Sequence, residues 1–245
     1  MVYFEIEEMK KLVQALNEAS AAYYNSGSSY MSDHEWDAMF DKLKKMEEKS
    51  GVVLSGSPTH SVGASIKVND LEAVVHEYPA LSLDKTKDID AFPDIFSNSA
   101  AGMAVVMWKL DGSTVVLTYD GGKLTLAATR GNGEIGQNIT HNAPYICGIP
   151  QEIPYKGHLV LRGEAVMSRE EFDRINNSLP EGAEPYANPR NLANATITMK
   201  DSGEMRKRKI QFLAFNLVHI DDLSEMEADT FMNRLNLLDK FGFDT

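Results

Sequence analysis

The sequence predicts an α+β protein in which a small helical unit precedes a larger domain of mixed strands and helices. Two stretches near the N-terminus carry apolar residues at helical spacing. A run rich in Gly, Ser and Pro follows them. Beyond it, strand-like and helix-like segments are mixed without the regular alternation of a doubly wound sheet. The expected division is 1–66 for the helical unit with its linker and 67–245 for the larger domain.

Each element has a local cause. Residues 4–25 space Phe4, Met9, Leu12, Val13, Leu16 and Ala19 along one helical face. Gly27, Ser28 and Ser29 break that helix. Ser32 then offers an N-cap, and Glu35 completes a capping box. The second helix, to Lys49, carries Trp36, Met39, Phe40, Leu43 and Met46 on one side. Residues 51–66 read as a linker, and Gly51, Gly56 and Gly63 predict a hinge there. In the larger domain, 105–110, 114–119 and 124–129 are strand-like, and Asp120-Gly121-Gly122 predicts a hairpin between the last two. Residues 158–166 predict a strand, 169–177 a helix and 210–218 another strand. A helix over 224–241 is expected to turn Met226, Phe231, Leu235 and Leu238 inward.

Composition excludes several classes. With 43% apolar residues the chain can bury a sizeable core. No stretch approaches the roughly 20 apolar residues of a membrane span. Glu5, Glu7 and Glu8 stand where a signal peptide carries basic residues. The single cysteine, Cys147, excludes an internal disulfide or a four-cysteine zinc site. A soluble, cytoplasmic protein is expected. The net charge of −12 argues against a strong grip on nucleic acid, which needs Lys and Arg to displace counterions. The one basic run, Arg206-Lys207-Arg208-Lys209, reads as a solvated strand edge.

The most informative string is Lys109-Leu110-Asp111-Gly112. Side chains two apart on a strand share a face, so Lys109 and Asp111 are expected to point into one cleft. Gly112 lets the chain turn there. A protonated lysine is no nucleophile, and a neighbouring carboxylate favours the protonated form. Asp111 therefore suits a nucleotide contact or a geometric role better than activation of the lysine. Taken alone, the tetrapeptide also fits a surface turn.

Further strings follow in order: Arg130-Gly131-Asn132-Gly133, Arg162-Gly163-Glu164, and Tyr186-Ala187-Asn188-Pro189-Arg190-Asn191. Upstream stand Ser57-Pro58-Thr59, Val62-Gly63 and Leu81-Ser82-Leu83-Asp84. In this order and spacing they resemble the nucleotidyltransferase half of NAD-dependent DNA ligases. Tyr23-Tyr24 with Ser32-Asp33-His34-Glu35-Trp36-Asp37 resembles that family's nicotinamide-recognising module. The resemblance implies a helical NAD-recognising domain followed by a largely antiparallel nucleotidyltransferase domain, an ATP-grasp-like ligase fold. It implies that Lys109 attacks NAD, keeps AMP and releases nicotinamide mononucleotide, with Asp111 beside it. AMP would then pass to the 5′-phosphate of nicked double-stranded DNA, with Mg2+ neutralising phosphate charge. By matching position, Arg130 and Glu164 would contact AMP, Ser82 and Leu83 would lie beside the dinucleotide, and Arg190 would meet phosphate or DNA. Tyr23, Tyr24, Asp33, Trp36 and Asp37 would hold nicotinamide mononucleotide. Trp36 also fits a helix core, and Asp33 a first-turn charge.

The chain departs from the family pattern at several positions. Met107 stands where a glutamate is expected to contact adenine, and a thioether is a far weaker acceptor. Asn132 replaces an aspartate, Gln137-Asn138 an acidic pair, and Thr198 an arginine. Trp36 stands where a tyrosine is usual. The resemblance also implies lysine-bearing strands beyond Thr245 and further oligonucleotide-binding, zinc and helix-hairpin-helix domains. The chain is therefore expected to be part of a longer ligase or a truncated relative, with its nucleotidyltransferase domain incomplete at the C-terminal side. On its own it is expected to bind nicotinamide mononucleotide, to hold DNA weakly or not at all, and to form no stable AMP adduct. The competing reading is a degenerate relative that binds NAD without chemistry, which Met107 and Thr198 favour.

Overall fold

The computed structural model describes residues 2–26, 31–54, 56–59, 71–80, 105–221 and 230–245; the side chains at 2–4, 21, 23–26 and 33 lie outside that description. A helical pair precedes a domain in which helices are interspersed with the strands of an antiparallel sheet, in keeping with the α+β expectation.

The N-terminal unit is a pair of helices, α1 (Val2–Ser26) and α2 (Asp33–Ser50). Ser32 caps α2 as expected: its hydroxyl accepts from the Glu35 amide, and the Glu35 carboxylate accepts from the Ser32 amide at 2.9 Å. Gly51 ends the helix in the left-handed conformation, and its N–H donates to Glu47 O at 2.8 Å. Met9, Leu12, Leu16 and Leu43 form the buried seam, with Trp36, Met39, Phe40 and Met46 packed against it. The described part of the linker differs from a free hinge. Leu54 packs on the same cluster, Asn17 donates to Gly56 O at 2.9 Å, and Thr59 bonds the buried Glu47 carboxylate. Residues 51–54 and 56–59 thus pack with the helical unit, through Leu54 and through bonds to Asn17 of α1 and Glu47 of α2.

The larger domain is built on a four-stranded antiparallel sheet in the order β3-β2-β5-β6. Its strands are β2 (Ser113–Asp120), β3 (Lys123–Thr129), β5 (Leu159–Val166) and β6 (Gln211–Ile220). Gly121 (φ 59°) and Gly122 (φ 82°) make the two-residue turn that joins β2 to β3. Two further strands, β1 (Ala73–Val75) and β4 (Ile135–Gln137), pair separately. Along β2 and β5, Val115, Leu117, Tyr119, Leu159, Leu161 and Ala165 face the main core. That core is completed by α3 (Arg169–Asn177), α4 (Pro189–Ile197) and α6 (Phe231–Lys240). A short helix, α5 (Ser202–Met205), follows α4. The buried Asn142 links these parts: its amide donates to Ile197 O at 2.9 Å and Met199 O at 2.7 Å, and it accepts from Ser202 at 2.8 Å.

Three expectations need correction. Residues 105–110 form no strand; among the described residues nothing pairs with their backbone, and Val106 and Trp108 stand 92% and 93% exposed. Phe231 does not face inward. Thr230 caps α6, which leaves Phe231 in the first turn and exposed, while Leu235, Leu237 and Leu238 enter the core. Residues 222–229, including Met226, lie outside the described residues. The basic run follows α5 rather than edging the sheet: Lys207 pairs with Glu204, and Arg208 lies over the Tyr186 ring at 5.8 Å. Helix α4 had a legible signal in Asn188-Pro189, an N-cap followed by proline at the first helical position.

Gly163 is a point of close packing between β5 and β6. A Cβ placed there would lie 2.2 Å from the Phe212 ring and 2.6 Å from Leu213 O on β6. Gly163→Ala should therefore destabilise the sheet domain by about 1–3 kcal/mol, the usual cost of overpacking, read as a lowered midpoint in urea denaturation.

Candidate active site

The second face of the sheet carries the polar residues. Because side chains alternate, Val160, Arg162 and Glu164 of β5 point away from the main core. Their partners across β2 are Thr118, Val116 and Thr114. Over this face lies a strap, residues 71–80, whose strand β1 pairs with β4. Ala80 and Tyr78 of the strap pack with Val116, Val160 and Val218. Between strap and sheet lies a cavity of about 190 Å3, with Val74, Tyr78, Val116, Leu126, Ala128 and Val160 among its walls.

Glu164 organises the end of the face nearest Lys109. Its carboxylate accepts from the Gly112 amide at 3.1 Å and from the Thr114 hydroxyl at 2.9 Å. Burial pushes the Glu164 carboxyl above the ordinary carboxylate range. The Thr114 bond, the Arg190 charge, the Gly112 amide and the Lys109 charge all act in the opposite direction. Gly112 is buried and sits so close to β5 that an added Cβ would lie 2.3 Å from Ala165 O. The Lys-x-Asp-Gly string is thus located by its glycine, docked against β5, rather than by strand pairing.

Lys109 is exposed, and its charge acts on Glu164. Asp111, 71% exposed, accepts from Arg190 at 3.4 Å. Such an open pair contributes at most about 1 kcal/mol, so it orients Arg190 without fixing the loop. Arg190 comes from the first turn of α4, and Asn194 one turn further accepts from Ser113 at 3.0 Å. The structure therefore brings Lys109, Asp111, Glu164 and Arg190 together around Gly112.

Arg130 lies one strand away. Its amide donates to Thr114 O at 3.0 Å, so Arg130 and Glu164 flank Thr114 from opposite sides. Its Nε donates to Ala80 O at 2.9 Å, toward the strap. The turn after it uses Gly131 (φ 57°) and Gly133 (φ 96°). The Asn132 side-chain oxygen accepts from the amides of Glu134 and Ile135, the acceptor work an aspartate would do. His76 of the strap donates from Nε2 to Arg130 O at 3.0 Å, and burial lowers its pKa, in keeping with a neutral ring.

The remaining predicted residues are placed as follows. Trp36 is half-buried between α1 and α2, stacked on Phe40, with its indole N–H directed to Leu16 O and Ser20 Oγ. Asp37 lies on the next position of α2 and is partly exposed. Tyr23 and Tyr24 fall in the last turns of α1, and Asp33 begins α2; their side chains lie outside the described residues, as do Ser82 and Leu83 entirely. Met107 is exposed, and Thr198 turns its hydroxyl back to Asn194 O at 2.8 Å, closing α4. Sequence reading assigned no role to Thr114, Asn194 or Arg162. Thr114 could have been found by the alternation of β2, but Asn194 meets Ser113 only through the fold.

The chain is similar in sequence to known proteins. A family model described as the NAD-dependent DNA ligase adenylation domain matches residues 68–245. One described as the DNA ligase-like N-terminal NAD+-binding domain matches residues 5–63. A DNA ligase of Lachnoclostridium phytofermentans is 40% identical over 238 residues, covering 97% of this chain and 36% of the relative. DNA ligases of Ruminiclostridium cellulolyticum (38% over 240 residues) and Fusobacterium nucleatum (34% over 245) cover 98% and 95% of the chain, and 36% and 35% of their own length. The chain thus spans 36% of the length of the first of these curated relatives.

The raised Glu164 carboxyl has a pH consequence. A group that is harder to ionise in the fold than in the unfolded chain stabilises the fold at low pH, and that contribution is lost as pH rises through its folded pKa. Glu164→Gln cannot ionise yet can still accept from the Gly112 amide. Its stability relative to the wild type should therefore improve between acidic and neutral pH. Urea denaturation of both proteins across that range checks it; a difference that does not change with pH would contradict the assignment.

Proposed function

The chain belongs to the NAD-dependent DNA ligase family, and on that premise we propose that Lys109 is the nucleophile of enzyme adenylation. The Lys109 amine, once deprotonated, forms a bond to the adenylyl phosphorus of NAD. The bond from that phosphorus to the bridging oxygen breaks, and nicotinamide mononucleotide leaves with the electron pair. Lys109 later yields AMP to the 5′-phosphate of a nick in double-stranded DNA, where the 3′-hydroxyl displaces it. The observation that carries this reading is the convergence of Lys109, Asp111, Glu164 and Arg190 around Gly112.

The residues present suit an adenylyl group. Each Glu164 oxygen already accepts one bond and keeps a lone pair, so the fixed carboxylate can also accept from ribose hydroxyls. Arg190, which donates to Asp111, is suited to meet phosphate, and Arg130 approaches from the other side of Thr114. Tyr23, Tyr24, Asp33, Trp36 and Asp37 hold nicotinamide mononucleotide, the aromatics by their rings and the carboxylates by ribose. Trp36 contributes its ring alone, since its N–H is already bonded within the helical pair. Among the described residues no group of three or more His, Cys, Asp or Glu could hold a metal ion. Magnesium would supply charge neutralisation at the phosphate oxygens.

We place the protein in the cytoplasm; no helix among the described residues is long and apolar enough to cross a membrane. With a net charge of −12 the chain should hold nicked DNA weakly by itself. The second reading, NAD binding without chemistry, draws on Met107 and Thr198, neither of which offers the contact expected in the family.

Two measurements test the proposal. NAD and nicotinamide mononucleotide should raise the melting temperature of the chain, and ATP should do much less, because only a ligand of the native state stabilises it. In the protein extended to the length of its relatives, intact-mass spectrometry with NAD and magnesium should show one added AMP that Lys109→Ala abolishes. Stabilisation by NAD without any adduct there would favour the binding-only reading, and equal stabilisation by ATP would overturn the choice of cofactor.

A further inference from the structure

Arg162 lies on the second face of β5, two positions before Glu164, and Val116 and Asn216 are its neighbours across the sheet. Its Nη2 donates to Tyr78 O at 3.1 Å and to Pro79 O at 2.9 Å. Its Nε is buried with no hydrogen-bond partner among the described residues. Burial and then the nearby Arg130 charge both lower the pKa of Arg162, so two guanidinium groups share this end of the strap. Both donate to consecutive strap carbonyls: Arg162 to Tyr78 and Pro79, Arg130 to Ala80. The Ala80 amide in turn donates to Gly133 O at 2.6 Å, in the turn that follows Arg130.

We propose that Arg162 is a positioning residue for the nucleotide site, acting through the strap on Arg130. By clamping Tyr78 and Pro79 it fixes the Ala80 carbonyl, and that carbonyl holds the Arg130 guanidinium at the edge of the second face. The two like charges repel, and bonds to consecutive strap carbonyls hold them in place. A single strand then registers both sides of the site: Glu164 docks the Lys109–Gly112 loop, and Arg162 docks the strap. This inference rests on the reading that Arg130 contacts AMP. It adds that Arg162, by keeping the strap in place, helps to set the position of that guanidinium.

The test is calorimetric titration of the chain with NAD and, separately, with nicotinamide mononucleotide. Arg162→Met keeps the side-chain length but removes the donors, and Arg162→Lys keeps the charge but not the forked donor geometry. Arg162→Met should weaken NAD binding about tenfold, the order expected for losing charged hydrogen bonds. It should leave nicotinamide mononucleotide binding unchanged, because that half is held by the helical unit. Combined with Arg130→Met, it should add little to the loss that Arg130→Met causes alone, since both act on one contact. Arg162→Lys should fall between, and it serves as the test if Arg162→Met does not fold. Wild-type affinity for NAD in either folded Arg162 variant, or fully additive losses in the double variant, would overturn the positioning role and leave the functional reading intact. Failure of the wild-type chain to bind either ligand would instead remove the functional reading, and the positioning role with it.

Discussion

The alternation of side chains along β5 is the constraint on which the rest of the structure depends. Leu159, Leu161 and Ala165 are committed to the main core, so Arg162 and Glu164 must emerge on the opposite face. A one-residue slip in register would bury both charges and expose the core. Gly163 between them allows β6 to approach closely enough for Phe212 to fill the space beneath. The apolar pattern that drives folding and the polar pattern that builds the site are therefore one pattern. Neither can change without the other.

Two segments that carry the proposed chemistry have little structure of their own. Residues 105–111 have no ladder, and most of the strap 71–80 is irregular. Both are positioned by contacts to β5, the first through Gly112 and Glu164, the second through Arg162. His158 adds a tie at the far end, accepted by Asp120 at 2.7 Å and Glu77 at 3.0 Å. The Asp120 bond, partly offset by burial, raises the His158 pKa, so this tie strengthens as the ring takes up a proton. The polar network differs in kind from the helical unit, where a capping box and an apolar seam suffice.

The departures from the family pattern divide by where they fall. Asn132 keeps the turn it occupies because a side-chain carbonyl accepts two amides as a carboxylate would. Thr198 takes on a local task, closing α4 with its hydroxyl, and leaves the reach of an arginine unreplaced. Met107 lies on the exposed run before Lys109, where no described contact explains it.

What the sequence by itself determined were the features whose cause is local. The capping box at Ser32, the Gly121-Gly122 turn, and the periodicities of α1, α2, β2, β3 and β5 all follow from residues within a few positions of one another. Ordered motifs likewise pointed to Lys109, Asp111, Arg130, Glu164 and Arg190 before any of them was placed. The tertiary structure alone decided that 105–110 is not a strand, because β pairing needs a partner that local pattern cannot supply. It also decided that residues 51–54 and 56–59 are docked, since their composition is that of a loop while their bonds come from α1 and α2. The roles of Thr114, Asn194 and Arg162 belong to the same class. Each depends on contacts spanning 50 or more residues, and hydrogen bonds at that separation exist only once the sheet has closed.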